Sequence, residues 1–165
     1  MKRIVPCACA LLLALPSWAQ GSFTRPECPA GAAVTPQAAE ARCIREARQR
    51  VQDANFAALQ DTGLMFKYMA RPDLERFPDA RAAIENEVEG SFVVVFSVAA
   101  DGTVYDVATK DVTAGVEPLA RMWAETIGLW TFAKVEKPVT GVEHRRIYLY
   151  AKDDAGHPGT SRDAP

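Results

Sequence analysis

Cysteine and histidine, the types most ready for nucleophilic and acid–base chemistry near neutral pH, are few in this chain: four cysteines and two histidines in 165 residues. Cys7 and Cys9 lie in an apolar amino-terminal stretch, and Cys28 and Cys43 follow it. Neither later cysteine has a second Cys or His at the close spacing that metal ligation needs, and neither shows a Cys-His pairing signal. Two cysteines in an exported chain are most simply a disulfide; closing a loop of this size contributes about 3 kcal/mol in the chain-entropy model. The other reading of Cys43 is a buried thiol on a helix face. His144 opens a strand-like run and His157 sits near the carboxyl terminus, with no Gly-x-Ser-x-Gly elbow and no phosphate-cradling glycine loop. Glu85, Glu87 and Glu89 are close in sequence, but this spacing on a short helix scatters them around its axis as a solvated acidic face. Asp101 precedes Gly102 and belongs to a turn. The expectation is a protein that is not an enzyme and carries no cofactor and no metal.

What remains is recognition. Arg145, Arg146, Tyr148 and Tyr150 cluster in the last ordered segment, and Tyr and Arg are the types enriched at binding hot spots. If Ile147 and Leu149 face the helices, then Arg146, Tyr148 and Tyr150 face outward on that strand. The competing readings are that Tyr148 and Tyr150 only shield the thinner face of a sheet, or that the whole last strand sits centrally.

The compartment follows from the amino terminus. Lys2 and Arg3, an apolar run from Ile4 to Leu15, then Pro16 and Ser17-Trp18-Ala19 form the order of a secretory signal, cut after Ala19. The run is too short to span a bilayer, which needs about 20 apolar residues. Removing residues 1–19 takes away Lys2 and Arg3 but no acid, so the remainder is more acidic than the whole chain's net charge of −2. That balance gives no footprint for nucleic acid, and the expected compartment is the periplasm.

The elements that must position these residues divide into four segments: a signal at 1–19, a disulfide-bearing helical segment at 20–71, an α+β domain at 72–151 and a disordered tail at 152–165. Thr35-Pro36 is a helix start, with Ile44, Ala47, Val51, Ala54 and Ala58 on one face and Gly63 as the stop. Leu64, Met65, Tyr68 and Met69 predict a second short helix ending at Arg71-Pro72. Phe77-Pro78-Asp79-Ala80 opens another, with Ala80, Ile84 and Val88 inward and Gly90 as its stop. Ser91–Ala100 and Thr103–Lys110 flank Asp101-Gly102, a strong hairpin signal. A two-residue loop sets Val98 opposite Tyr105 and Val94 opposite Thr109, so Phe92, Val94, Phe96 and Val98 share a covered face with Tyr105 and Val107. The cover is a helix from Val116-Glu117-Pro118, whose stripe is Leu119, Met122, Trp123, Thr126, Ile127 and Trp130, with Trp123 packed on Phe96. A charged loop, Lys134 to Gly141, leads to the last strand, His144–Ala151. The fold class is α+β: a three-stranded antiparallel sheet (hairpin, helix, third strand) covered on one face by helices and preceded by a helical segment.

The run Phe77-Pro78, Glu89-Gly90-x-Phe92-Val93-Val94-x-Phe96-x-Val98-x-x-Asp101-Gly102-x-Val104, Trp130-x-Phe132 and Ile147-Tyr148-Leu149-Tyr150 resembles the carboxy-terminal domain of TonB and TonB-like proteins. The resemblance covers about residues 73–151. It implies a module that accepts an extended peptide along an exposed strand edge. A TonB transducer also has a retained anchor and a long Pro-rich spacer; here the leader looks cleavable and a helical segment replaces the spacer.

The third strand must lie at a border of a three-stranded sheet, with Ile-Tyr-Leu-Tyr poorly defended against pairing. Its edge can take a partner segment, residues of its own amino-terminal half, or a second copy as a homodimer. The expected function is therefore a periplasmic TonB-like binding or assembly module that engages a protein or peptide by strand addition, without transducing energy. Two alternatives stand beside it: a small inhibitor or immunity-type protein acting through its helical half, 36–70, and a genuine TonB-type transport protein with a retained anchor.

Overall fold

The computed structural model describes residues 23–28 and 36–151; the signal and its cut after Ala19, and the tail 152–165, lie outside them. The elements in chain order are α1 (Pro36–Asp61), β1 (Phe66–Tyr68), α2 (Pro78–Glu85), β2 (Gly90–Val98), β3 (Val104–Lys110), α3 (Glu117–Gly128), β4 (Thr131–Phe132) and β5 (Val139–Tyr148). One sheet is antiparallel in the order β3-β2-β5, and β1 pairs with β4 in a second, two-stranded one. The class is α+β, as expected.

The apolar side chains of β2 decide the layering. Phe92, Val94, Phe96 and Val98 are fully buried in one core with Leu119, Met122, Trp123 and Ile127 of α3 and Ala80 of α2. Period 2 in the strand meets period 3.6 in the helix on this face; on the other face of β2, Val93 and Ser97 are buried as well, as befits a central strand. Trp123 and Phe96 share this core, but the aromatic neighbours of Phe96 are Trp130 and Phe132, while Trp123 lies over β5. Leu59, Leu64 and Ala70 join the same core, so the helical segment and the α+β domain are packed as one.

Several local expectations are corrected. Residues 64–69 form no helix: Phe66 is drawn into an aromatic cluster, 4.7 Å from Phe132 and 5.2 Å from Trp130, and the backbone extends to pair with β4. Met65, Tyr68 and Met69 are left exposed. The inward face of α1 is rotated by one residue at its carboxyl half: Asn55 and Leu59 are buried, Ala54 and Ala58 exposed. Gly90 does not stop α2 but opens β2, and Glu87 at φ 52° makes the reversal. A Cβ on Gly90 would stand 2.9 Å from Thr113 and Val116, which is why the position is glycine.

The hairpin loop holds three residues rather than two. Ala99 N–H donates to Thr103 O and Gly102 N–H to Ala99 O, a tight turn followed by a glycine at φ 91°. Val98 therefore faces Val104 and Ser97 faces Tyr105; a bulge at Asp106 (φ 50°) restores the expected register, with Val94 opposite Thr109. The slip turns Tyr105 to the outside and brings Val104 to the core. Finally, β5 begins at Val139, inside the stretch read as loop, and ends at Tyr148.

Candidate functional site

β5 is the border strand expected to carry recognition. It pairs with β2 from Gly90 opposite Tyr148 through Phe92 opposite Arg146 to Phe96 opposite Val142. Alternation along β5 sends Arg146 and Tyr148 to the α3 side, and Ile147 and Leu149 away from it, the reverse of the outward placement expected for Arg146 and Tyr148. The Arg146 guanidinium lies 3.8 Å above the Trp123 ring. Trp123 Nε1 donates to Tyr148 Oη at 2.8 Å, and the Tyr148 ring stacks on Phe92. Ile147 and Leu149 pack instead with Ile44, Ala151 and Phe23 in a second small core. Tyr150 lies beyond the strand end, half-buried, and burial pushes its hydroxyl up to about 12. Of the four residues, only the Arg145 side chain is exposed.

The outer edge of β5 is covered from within the chain. Arg145 stands opposite Val93, and its amide and carbonyl point away from β2. Asn55 of α1 meets both: its Nδ2 donates to Arg145 O at 2.8 Å and its Oδ1 accepts Arg145 N–H at 2.9 Å. Asn55 is 7 % exposed. Further along the edge, Arg48 donates to Leu149 O and Arg25 to Tyr150 O. Ile44, Arg48, Asn55 and Leu59 recur at four- and seven-residue spacing, the repeat that keeps one helix face on a neighbour. Sequence reading missed Asn55, Arg48 and Arg25. The available signal was a carboxamide in a helix interior where the apolar stripe should run, a type that favours helix ends unless its side chain has work elsewhere.

A tie holds the amino end of α1. Cys28 and Cys43 lie at disulfide distance, with Cα atoms 5.7 Å apart. Arg25, three residues before Cys28, pairs with Glu40 of α1 and with Glu89. Glu89, read as part of a solvated acidic face, also accepts Tyr150 N–H at 2.8 Å and is only partly exposed.

The opposite border, β3, packs against α3 and leaves a shallow groove of about 310 Å³ between them, lined by Val107, Ala108, Val112, Ala120 and Ala124. Its ladder is broken by the Asp106 bulge, a usual protection of edges.

Two further titratable groups are fixed by their surroundings. Asp101 accepts the amide and hydroxyl of Thr103, which hold its carboxyl below the usual range and fix the turn. His144 lies between Trp123 and Trp130, at ring distances of 6.0 and 5.2 Å. Both its nitrogens are inaccessible and without a hydrogen-bond partner, and burial, with Arg146 nearby, lowers it to about 3. Among the described residues no group of three or more His, Cys, Asp or Glu could hold a metal ion, and no helix is long and apolar enough to cross a membrane. No protein-family model, curated protein or solved structure matches the chain.

Proposed function

We propose that this chain is an exported, periplasmic binding module that takes up an extended segment of a protein partner as an added strand along β5. The observation that carries the reading is the Asn55–Arg145 pair. A carboxamide that donates to one backbone carbonyl and accepts from the same residue's amide supplies what a neighbouring strand supplies. The edge is thus built to be paired, yet no strand among the described residues pairs with it. β3 carries a bulge, whereas β5 is regularly laddered from Val142 to Tyr148. The order of hairpin, helix and third strand, with β2 central, accords with the TonB-like resemblance and supports strand addition as the mode. The Cys28–Cys43 pair suits an oxidising compartment. In this reading Arg145 contacts the partner, and Arg146, Tyr148 and Trp123 stiffen the strand from behind.

The test is capture from a periplasmic extract by the parent and two variants. Ile147→Pro removes an amide two residues from Arg145, on the same outward side of β5, and leaves the β2 ladder in place. Ala108→Lys fills the β3–α3 groove instead. Binding through β5 predicts that Ile147→Pro loses the captured protein and Ala108→Lys keeps it. The opposite pattern moves the site to β3, and loss in neither variant moves it to the outer face of α1.

A further inference from the structure

The outer surface of α1 is mostly polar, with Phe56 exposed among alanines near its carboxyl end, and few of its side chains are buried against β5. Ile44, in the amino-terminal half, and Leu59, near the carboxyl end, are the buried apolar side chains of the helix, Ala41 and Ala47 pack partly buried beside Ile44, and Asn55 and Arg48 supply its bonds to the edge. At its carboxyl end the chain turns through Gly63, at φ 71° with open space around the position of a Cβ. At its amino end the helix is fastened covalently through Cys43 to Cys28 and ionically through Glu40 to Arg25, which also pairs with Glu89 and donates to Tyr150 O; the disulfide is the one covalent tie among these. A bulge defends an edge permanently. A helix fastened at one end and turned at the other defends it only while fastened.

We infer that α1 is an autoinhibitory cover of the β5 edge: the Asn55 carboxamide holds the place of the incoming strand's peptide unit, and the Cys28–Cys43 bond is the tie that keeps it there. This inference rests on the strand-addition reading of β5 and adds its control. The opening reagent is a dithiol reductant. It delivers two electrons and two protons, the S–S bond becomes two cysteine thiols, and the dithiol leaves as its own disulfide. With the tie cut, α1 swings on Gly63, the amide and carbonyl of Arg145 are released, and a strand can replace the carboxamide donor for donor and acceptor for acceptor.

Amide exchange of the full mature chain, followed residue by residue by NMR with and without dithiothreitol, tests this. Reduction should speed exchange at Arg145 and Ile147 by about tenfold or more, as loss of a covering partner does, and should speed α1 with them. β2 and α3 should keep their protection. Unchanged exchange at Arg145 overturns the tie. Loss of protection throughout β2 and α3 overturns it as well, because the disulfide would then be a general staple. Asn55→Ala, with the disulfide intact, should free the Arg145 amide by itself; if that amide stays protected, the carboxamide is no placeholder. Capture is a separate readout. Opening on reduction without capture in either redox state leaves the cover standing and sinks strand addition. Equal capture by the oxidised and the reduced chain sinks the cover and leaves strand addition standing.

Discussion

Asn55 offers the sharpest energetic test of how the edge is closed. Asn55→Ala removes a donor 2.8 Å from Arg145 O and an acceptor 2.9 Å from Arg145 N. Each such bond contributes about 0.5–1.5 kcal/mol net, and a buried backbone group left without a partner costs about 1–3 kcal/mol. Water reaching an opened edge offsets part of that, so about 2–3 kcal/mol of destabilisation is expected. Asn55→Asp separates the two bonds. The carboxylate still accepts from the Arg145 amide, but its second oxygen faces the Arg145 carbonyl, lone pair against lone pair. At neutral pH the Asn55→Asp variant should be no more stable than Asn55→Ala. Protonating the introduced carboxyl would restore a donor, so its native pKa must lie above the unfolded value of about 3.9. That stabilisation is fully present below about pH 3.9 and is lost as pH rises through the raised native value. Urea denaturation of both variants and the parent, from pH 7 down to about pH 3.5, gives the comparison. An Asn55→Ala variant within about 0.5 kcal/mol of the parent, or an Asn55→Asp variant that tracks it at every pH, would refute the placeholder geometry.

The core residues around this edge have measurable consequences of their own. The parent should lose stability as pH falls from about 6.5 toward about 3, because His144 stays neutral in the fold down to about 3 and the unfolded chain takes up its proton first. The slope approaches about 1.4 kcal/mol per pH unit for one such group; in His144→Phe, followed by chemical denaturation across that range, most of it should vanish. Gly102→Ala should destabilise far more than Gly63→Ala in paired thermal melts: both have positive φ, but a Cβ at 102 would collide with Phe132 O, and at 63 it meets nothing. The Gly63 change should cost about 1 kcal/mol, and equal costs would mean that the turn does not approach β4 so closely. Trp123→Ala should cost about 3–5 kcal/mol by equilibrium unfolding, since it leaves Tyr148 Oη and Arg146 without their ring partner; a near-neutral midpoint would put the wrong face of α3 on the sheet.

The sheet, the hairpin and α3 were legible because each carries a periodic signal that tertiary contacts reinforce: Phe92 to Val98 alternate, and Leu119 to Trp130 recur at helical spacing. Short segments were not. Residues 64–69 have apolar spacing that fits a helix, and only the distant Phe132 and Trp130 rings decide for a strand. The hairpin register turned on two left-handed residues: Gly102, which closes a three-residue loop and shifts the pairing, and Asp106, whose bulge restores it and which no local pattern announces. The edge was the largest difference. Sequence identified β5 as a border strand and left its own amino-terminal half among the possible partners, but presented Arg146 and Tyr148 outward. Parity alone does not say which face of a strand meets which helix, and here Trp123 of α3 captures both side chains. The closing residue, Asn55, lies 90 positions from Arg145; nothing in its neighbourhood refers to that distance.

Strand addition at β5 is tested most directly by comparing Ile147→Pro and Ala108→Lys with the parent for capture of a periplasmic protein, each with and without dithiothreitol and each chain also sized by light scattering. If β5 accepts a strand, Ile147→Pro folds, keeps its helical content and loses the captured protein, or the dimer if the partner is a second copy, while Ala108→Lys behaves as the parent. A folded Ile147→Pro that retains both its partner and its assembly state would contradict it.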